Sequence, residues 1–189
     1  MKRIAVFASG AGSNAKVLIQ HFEKHPDAQV TLLVTNRPEC GAAAIAMEQG
    51  VEVMYLDRES FYGKGSVAKD LIERGIDLIV LAGFLWRVPA DLIRPFENRI
   101  INLHPSLLPK FGGRGMYGNN VHKAVIEAGE KESGITIHYV TEEFDEGAAI
   151  AQFSCPVFPS DNIETLAKRI HELEHKHLAP TVDKLLFSL

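Results

Sequence analysis

Residues 102–109 read Asn-Leu-His-Pro-Ser-Leu-Leu-Pro, directly after an apolar run, Arg99-Ile100-Ile101, that reads as the end of a strand. Side chains two positions apart on a strand point to the same side. Asn102 and His104 can therefore be aimed at one reacting atom. Pro105 bars a helix and biases His104 toward extended backbone. An amide donor and a titratable ring held side by side suit an acyl-type transfer, in which a negatively charged oxygen develops in the transition state. The bland alternative is a mutually satisfied structural pair.

A second constellation is the glycine turn Ser9-Gly10-Ala11-Gly12-Ser13-Asn14, between a buried strand pattern at Ile4–Ala8 and a helical pattern from Asn14 to Lys24. Free N–H groups at a helix N-terminus, with the helix dipole behind them, favour an anion such as phosphate. Glycines let the backbone approach a ligand, and Ser13 or Asn14 is expected to cap the helix. Gly10, Gly12 and Ala15 fit the relaxed dinucleotide fingerprint, which also wants an acid after the second strand. Here that strand ends in Thr35-Asn36-Arg37-Pro38. The missing acid counts against NAD, whereas Arg37 leaves NADP open. The competing reading is a phosphate monoester on a small substrate.

Two further polar clusters stand out. Gly134 to Val140 reads as a strand carrying Thr136 and His138, followed by the polar loop Thr141-Glu142-Glu143-Phe144-Asp145-Glu146-Gly147. A carboxylate beside an imidazole favours the protonated ring and raises its pKa, which would keep His104 ready as a general acid. Spacing alone does not pair Asp145 with His104. His171-Glu172-Leu173-Glu174-His175 formally fits the His-Glu-x-x-His zinc helix. It lacks an evident third ligand, so a charged helical face is the stronger reading and no metal is expected.

These groups need a scaffold. The chain has 189 residues, 46% hydrophobic and 23% charged, with net charge -4. That is enough for one domain with a full core. The acidic balance argues against a nucleic-acid partner, and the longest apolar run, near Leu78–Leu85, is too short to span a membrane. The start, Met1 to Val6, reads as a strand rather than a signal peptide. Cys40 and Cys155 form no framework and read as free thiols of a reducing cytoplasm, Cys155 at or near the core.

Strand patterns at Ile4–Ala8, Val30–Val34, Val53–Leu56, Leu78–Ala82 and Arg99–Leu103 alternate with helical ones at Asn14–Lys24, Ala42–Gln49, Val67–Arg74 and Ala90–Phe96. This alternation predicts an α/β fold with a mostly parallel sheet covered on both faces. In the second half, Asn119–Gly129 reads as a helix, Ile135–Val140 and Ala149–Pro156 as antiparallel additions, and Asn162–Leu186 as one helix or two interrupted by Pro180. No linker or repeat divides the chain, so a single domain over 1–189 is expected.

Taken together, the glycine turn, the Asn102–Pro109 segment and the stretch from Gly134 through Asp145-x-Gly147 resemble three motifs of the folate-dependent phosphoribosylglycinamide formyltransferases. Order and spacing fit from Ile4 to about Leu186. The resemblance implies a Rossmann-like open sheet, with residues 1–100 as the phosphate-binding half and 101–189 as the catalytic and folate-binding half. It implies formyl transfer from 10-formyltetrahydrofolate, as cosubstrate, to the amine of a phosphoribosylglycinamide. Asn102, His104 and Asp145 become the catalytic trio, with Asp145 holding His104 and raising its pKa. Gly12, Ser13 and Asn14 would bind the substrate phosphate, with help from Lys110. Glu174 would bind ribose, and His171, Glu172 and Leu173 would line that end. Leu85, Trp86, Arg87 and Val88, together with Asn102, Thr141, Glu142, Glu143, Phe144 and Asp145, would hold the folate. Trp86 has a plain packing alternative, and Thr136 and His138 would support the site from behind. The expected partners are small molecules only, on a monomer or homodimer.

Two stretches depart from the pattern. The run from Phe111 to Asn120 is longer than in the shorter family members and is expected to form a mobile lid or substrate loop, with Arg114 able to meet phosphate. The contact to the folate tail does not align, and Arg58 and Lys64 are both candidates. Rival readings change the acceptor or drop the chemistry. Methionyl-tRNA formyltransferase and formyltetrahydrofolate deformylase carry extra domains for which this chain has no length. A formate- and ATP-dependent formylating enzyme would need a longer chain. An NADP-binding module without chemistry would give Asn102 and His104 no role.

Overall fold

A computed structural model describes residues 1–63 and 65–188. The folate-tail candidate Lys64 lies outside the described residues. Seven strands form one sheet in the order β3-β2-β1-β4-β5-β6-β7. These are β1 (Lys2–Phe7), β2 (Ala28–Thr35), β3 (Glu52–Tyr55), β4 (Leu78–Leu81), β5 (Ile100–His104), β6 (Glu132–Tyr139) and β7 (Ala149–Pro156). The first five run parallel, whereas β6 and β7 are antiparallel additions.

The connecting helices are α1 (Ser13–Phe22), α2 (Gly41–Glu48), α3 (Arg58–Tyr62), α4 (Ser66–Glu73), α5 (Ala90–Ile93, running into a 3-10 turn at Arg94–Phe96), α6 (Asn119–Glu127) and α7 (Ile163–Leu186). Strand alternation divides the core between two faces. Ile4, Val6 and Ala8 pack with residues of α1, α2 and α7, whereas Ala5 and Phe7 pack with those of α3, α4 and α5. Helix α7 is continuous through Pro180 and starts at a reciprocal cap between Asn162 and Thr165. Helix α3 is too short to show a helical period in the sequence.

The sheet order reverses between β1 and β4, each continuing on the other's flank. In such sheets the crevice outside the carboxyl ends of the strands at this point is the natural ligand site. The glycine turn follows β1, Gly83–Val88 follows β4, and Asn102 and His104 end β5. The topology thus brings all three to one mouth.

Helix α1 starts differently from expectation. Its cap is Gly12, at φ +84°, and no side chain caps the helix. A Cβ on Gly12 would collide with the backbone of Ala42 at the start of α2. Glycine is needed there for both the left-handed conformation and the close approach. Asn14 is free for another use.

Candidate active site

Asn102 and His104 share a face of β5, as the strand period requires, while Ile101 and Leu103 enter the core on the other face. The antiparallel register sets Asn102 against His138 and His104 against Thr136. Residues directly opposite on such a ladder share a face, so one patch of sheet carries two histidines, an amide and a hydroxyl.

Thr136 secures the segment that follows. Its Oγ1 donates to Ser106 O (2.7 Å) and accepts from Leu108 N (3.0 Å) and from Gln152 Nε2 (2.9 Å). It therefore supports the site from behind, as expected. His138 lies closer than expected, because it lines the cleft itself. Its Nδ1 is 2.8 Å from the Tyr139 carbonyl, which can only accept, so Nδ1 carries the proton. In the neutral ring Nε2 is then an acceptor, and it lies 3.0 Å from Asn102 Nδ2.

Asp145 reaches this patch from the loop after β6. Its backbone is left-handed, at φ +57°. Gly147 allows the loop to close because a Cβ there would strike the Tyr139 carbonyl. Asp145 Oδ2 lies 3.5 Å from His104 Nδ1 and accepts from Gly113 N at 2.9 Å. Its Oδ1 lies 3.4 Å from Asn102 Nδ2 and 3.6 Å from His138 Nε2. Burial raises the Asp145 carboxyl, but His138, His104 and the Gly113 N–H together outweigh it and hold the carboxyl below its ordinary value.

The other nitrogen of His104 is occupied. Nε2 donates to the Phe111 carbonyl at 2.8 Å, so the neutral ring presents the lone pair of Nδ1 toward Asp145. His104 is 3% exposed. That burial pushes its pKa below the ordinary histidine value, outweighing Asp145 and the Phe111 carbonyl, which push it up. The expectation of a raised pKa is corrected: the family resemblance supplied the carboxylate partner, but the cost of burying a charged ring is larger.

These groups open into a cleft of about 700 Å³. At one end are Gly10 to Asn14. The first bond within α1 runs from Lys16 N to Gly12 O, which leaves the N–H groups of the first turn toward the cleft. Asn14 Nδ2 donates to Glu174 Oε2 at 2.9 Å, while Asn14 Oδ1 is buried without a partner. Glu174 is 6% exposed, and burial raises its pKa against the lowering pull of Asn14, His171 and His175. His171 and His122 line the same end.

At the other end, Leu85 to Val88 and Thr141 to Asp145 face each other. Arg87 joins the two loops, with Nε donating to Glu142 O at 3.1 Å and the guanidinium 5.4 Å from the Phe144 ring centre. Trp86 lines this end and also packs against Phe61, Tyr62 and Phe84. Arg58 sits over its ring at 5.4 Å. Gly113 to Gly118, including Arg114 and Met116, form the wall between the two ends.

Three expected site residues are not brought to the cleft. Lys110 is exposed and pairs with Glu130 at 2.8 Å on the far side of the Leu107–Phe111 turn. Glu172 is exposed and Leu173 packs against the core, because only His171 and Glu174, three apart on α7, share the cleft-facing side. His171 and His175 stack at 6.4 Å, and no cluster of three or more potential metal ligands occurs among the described residues. No helix among them is long and apolar enough to cross a membrane.

The architecture has clear relatives. A family model described as Formyl transferase matches residues 2–182. Phosphoribosylglycinamide formyltransferase of Bacillus subtilis (strain 168) is 36% identical, over 98% of this chain and 95% of the relative. The chloroplastic phosphoribosylglycinamide formyltransferase of Vigna unguiculata is 44% identical over 97% of this chain, which spans only 61% of that relative's length. The chain likewise spans 62% of the Arabidopsis thaliana counterpart. The crystal structure of phosphoribosylglycinamide formyltransferase from Bacillus Halodurans superposes with a TM-score of 0.88 at 37% identity, covering 98% of this chain and 95% of that one. With its seven-stranded mixed sheet and its catalytic-type trio at the mouth of that sheet, the chain belongs to the formyl transferase family, alongside its phosphoribosylglycinamide formyltransferase members.

Proposed function

We propose that the chain transfers a formyl group from 10-formyltetrahydrofolate to the amine of 5-phosphoribosylglycinamide, in purine biosynthesis. One observation carries this reading. A single cleft has an anion-accepting helix N-terminus at one end, a partly apolar double loop at the other, and Asn102, His104, His138 and Asp145 between them. A phosphorylated acceptor and a flat bicyclic donor each match one end, and their reacting groups then meet at the polar patch.

The N–H groups of Ser13 and Asn14, beside Gly12, take the acceptor's phosphate, and Glu174 accepts from its ribose hydroxyls. Backbone groups of Leu85 to Val88 and of Thr141 to Asp145 read the pterin edge. His104 works as a base first. Its Nε2–H is fixed on the Phe111 carbonyl, so Nδ1 is the nitrogen that takes the proton from the attacking amine. The resulting imidazolium lies beside the Asp145 carboxylate and delivers the same proton to the departing folate nitrogen. Asn102 Nδ2, on exchanging its long 3.4 Å contact with Asp145 Oδ1, supplies the amide donor for the tetrahedral oxyanion, an interaction of about 3–4 kcal/mol at other enzymes' oxyanion holes. With this function we propose a cytoplasmic setting, small-molecule partners and a monomer or homodimer, although relatives of the same printed name from Vigna unguiculata and Arabidopsis thaliana are chloroplastic.

The test is an absorbance assay for loss of a 10-formyl folate analogue, with and without 5-phosphoribosylglycinamide. Turnover that needs the acceptor supports the proposal. Turnover of equal rate without it points to hydrolysis of the donor instead.

A further inference from the structure

We propose that His122 is a further binding residue for the acceptor, contributing its ring, with His171, to recognition of the phosphomonoester group. This inference rests on the acceptor assigned above. His122 lies on α6 with Val121 and Val125 and is 2% exposed, yet it lines the cleft. Its Nδ1 is buried with no hydrogen-bond partner. Buried polar atoms are nearly always paired, so an orphan in the wall of a ligand cleft marks a place where a ligand or ordered water supplies the partner.

The position of the orphan is informative. Asn14 ties the glycine turn to Glu174, and His171 lies three residues before Glu174 on the same side of α7. His171 is close enough to His122 to depress its pKa. Asn14 is thus hydrogen-bonded to Glu174, and His171 lies within electrostatic reach of both Glu174 and His122. A second orphan is Asn14 Oδ1. Both orphans belong to residues that line the cleft.

Charge gives His122 a function that its neighbours cannot supply. Burial, with His171 also lowering it, pushes its pKa down to about 4, so the ring is neutral at neutral pH unless an anion is bound beside it. His171 on α7 is the titratable group that acts on it, and Glu174 on α7 and Arg114 on the loop before α6 line the same cleft. Lys123 on its own helix is paired with Glu127 at 3.7 Å instead. A phosphate dianion entering this end favours the imidazolium form, and the ring takes up a proton as the ligand binds. The riboside, which lacks the phosphate anion, offers no such gain, so His122 discriminates by the phosphate rather than by the sugar.

The experiment is titration calorimetry of 5-phosphoribosylglycinamide and of its unphosphorylated riboside at pH 7.5, in two buffers of different ionisation enthalpy. Wild type is compared with H122N and H122Q. A folate analogue titrated into each variant reports whether the fold and the donor end are intact. The expected result is at least tenfold weaker binding of the phosphorylated acceptor to both variants. Binding of the riboside and of the folate analogue should be unchanged, and the proton uptake seen with wild type should be lost. In turnover, KM for the acceptor rises while kcat holds. Wild-type-like binding and proton uptake in both variants overturn the proposal. So does equal weakening for riboside and phosphorylated acceptor, which marks a packing role. If wild type binds the folate analogue but not the phosphorylated acceptor, the acceptor assignment itself fails, and this inference fails with it.

Discussion

His104 Nδ1 and Asp145 Oδ2 face each other at 3.5 Å, a residue of β5 and a residue of the loop after β6 joined across the cleft floor. The separation is long for a hydrogen bond, which fits a neutral ring whose lone pair, not a proton, points at the carboxylate. Protonation of Nδ1 turns that contact into a charge-assisted one. The pair is therefore built to stabilise the product of proton uptake by His104 rather than its starting state.

Replacing Asp145 with Asn tests this order of events. We expect kcat to fall by about 10²–10⁴-fold, the usual scale of a general base losing its support, with acceptor affinity nearly unchanged. The pH profile carries the sign. Turnover needs neutral His104, so activity declines as pH falls through a pKa already below the ordinary histidine value. Asp145 raises that pKa against the larger effect of burial, so the variant's acid limb must move to still lower pH. A limb that stays in place or moves upward contradicts the pairing.

Replacing Asn102 with Ala removes the oxyanion donor while leaving both histidines. By comparison with other oxyanion holes, kcat should drop by about 10²–10³-fold. Steady-state kinetics with the acceptor varied checks this, since KM for the acceptor should hold. A rise in KM with intact kcat would instead make Asn102 a ground-state binding group.

How far the sequence discloses this arrangement depends on the range of the interaction. The alignment of Asn102 with His104 is legible because it follows from the period of one strand. The anion-binding character of the glycine turn is legible because it needs only a strand, two glycines and a helix. The partnership of Asp145 with His104 depends on two left-handed residues, Asp145 and Phe111, in loops packed against one another, and no local pattern encodes that. His138 is hidden for a related reason, since its approach to Asn102 requires the β5–β6 register. Lys110 misleads because residue type was the signal for phosphate, whereas the chain turns after Pro109 and carries the amine to Glu130. Glu172 and Leu173 were separable in principle: a 3.6-residue period puts only His171 and Glu174 on one side. The depression of His104 is not legible at all, because it measures burial.

Thr136 links stability to catalysis. Its hydroxyl makes three hydrogen bonds, two of which fix the Ser106–Leu108 turn while the third comes from Gln152, and it is fully buried. Thr136→Val keeps the shape but leaves Leu108 N and Ser106 O unpartnered. Urea unfolding should show a loss of about 1–3 kcal/mol, the cost of stranding buried polar groups. Because that turn follows His104 directly and Thr136 sits opposite it on β6, kcat should fall as well. Loss of stability with full kcat would confine Thr136 to a structural role.

Glu174 should show the opposite relation between stability and function. Its carboxyl is buried and its pKa is raised, so the folded state holds a proton more tightly than the unfolded chain does. The sign follows from linkage: between the unfolded pKa, near the ordinary carboxyl value, and the raised folded one, stability falls as pH rises. Above that window the folded protein carries an unfavourably buried charge, a cost that the acceptor's hydroxyls would offset under the function proposed above. Glu174→Gln removes the charge but keeps an acceptor atom for Asn14. Near neutral pH the variant should unfold at higher urea than wild type, and the difference should vanish below the unfolded carboxyl pKa. Its KM for the acceptor should rise about tenfold or more, the scale of losing a charged hydrogen-bond partner. Denaturant midpoints across pH and acceptor titrations check the two halves separately. A variant both less stable at neutral pH and unimpaired in acceptor binding would show that Glu174 serves the fold and not the ligand.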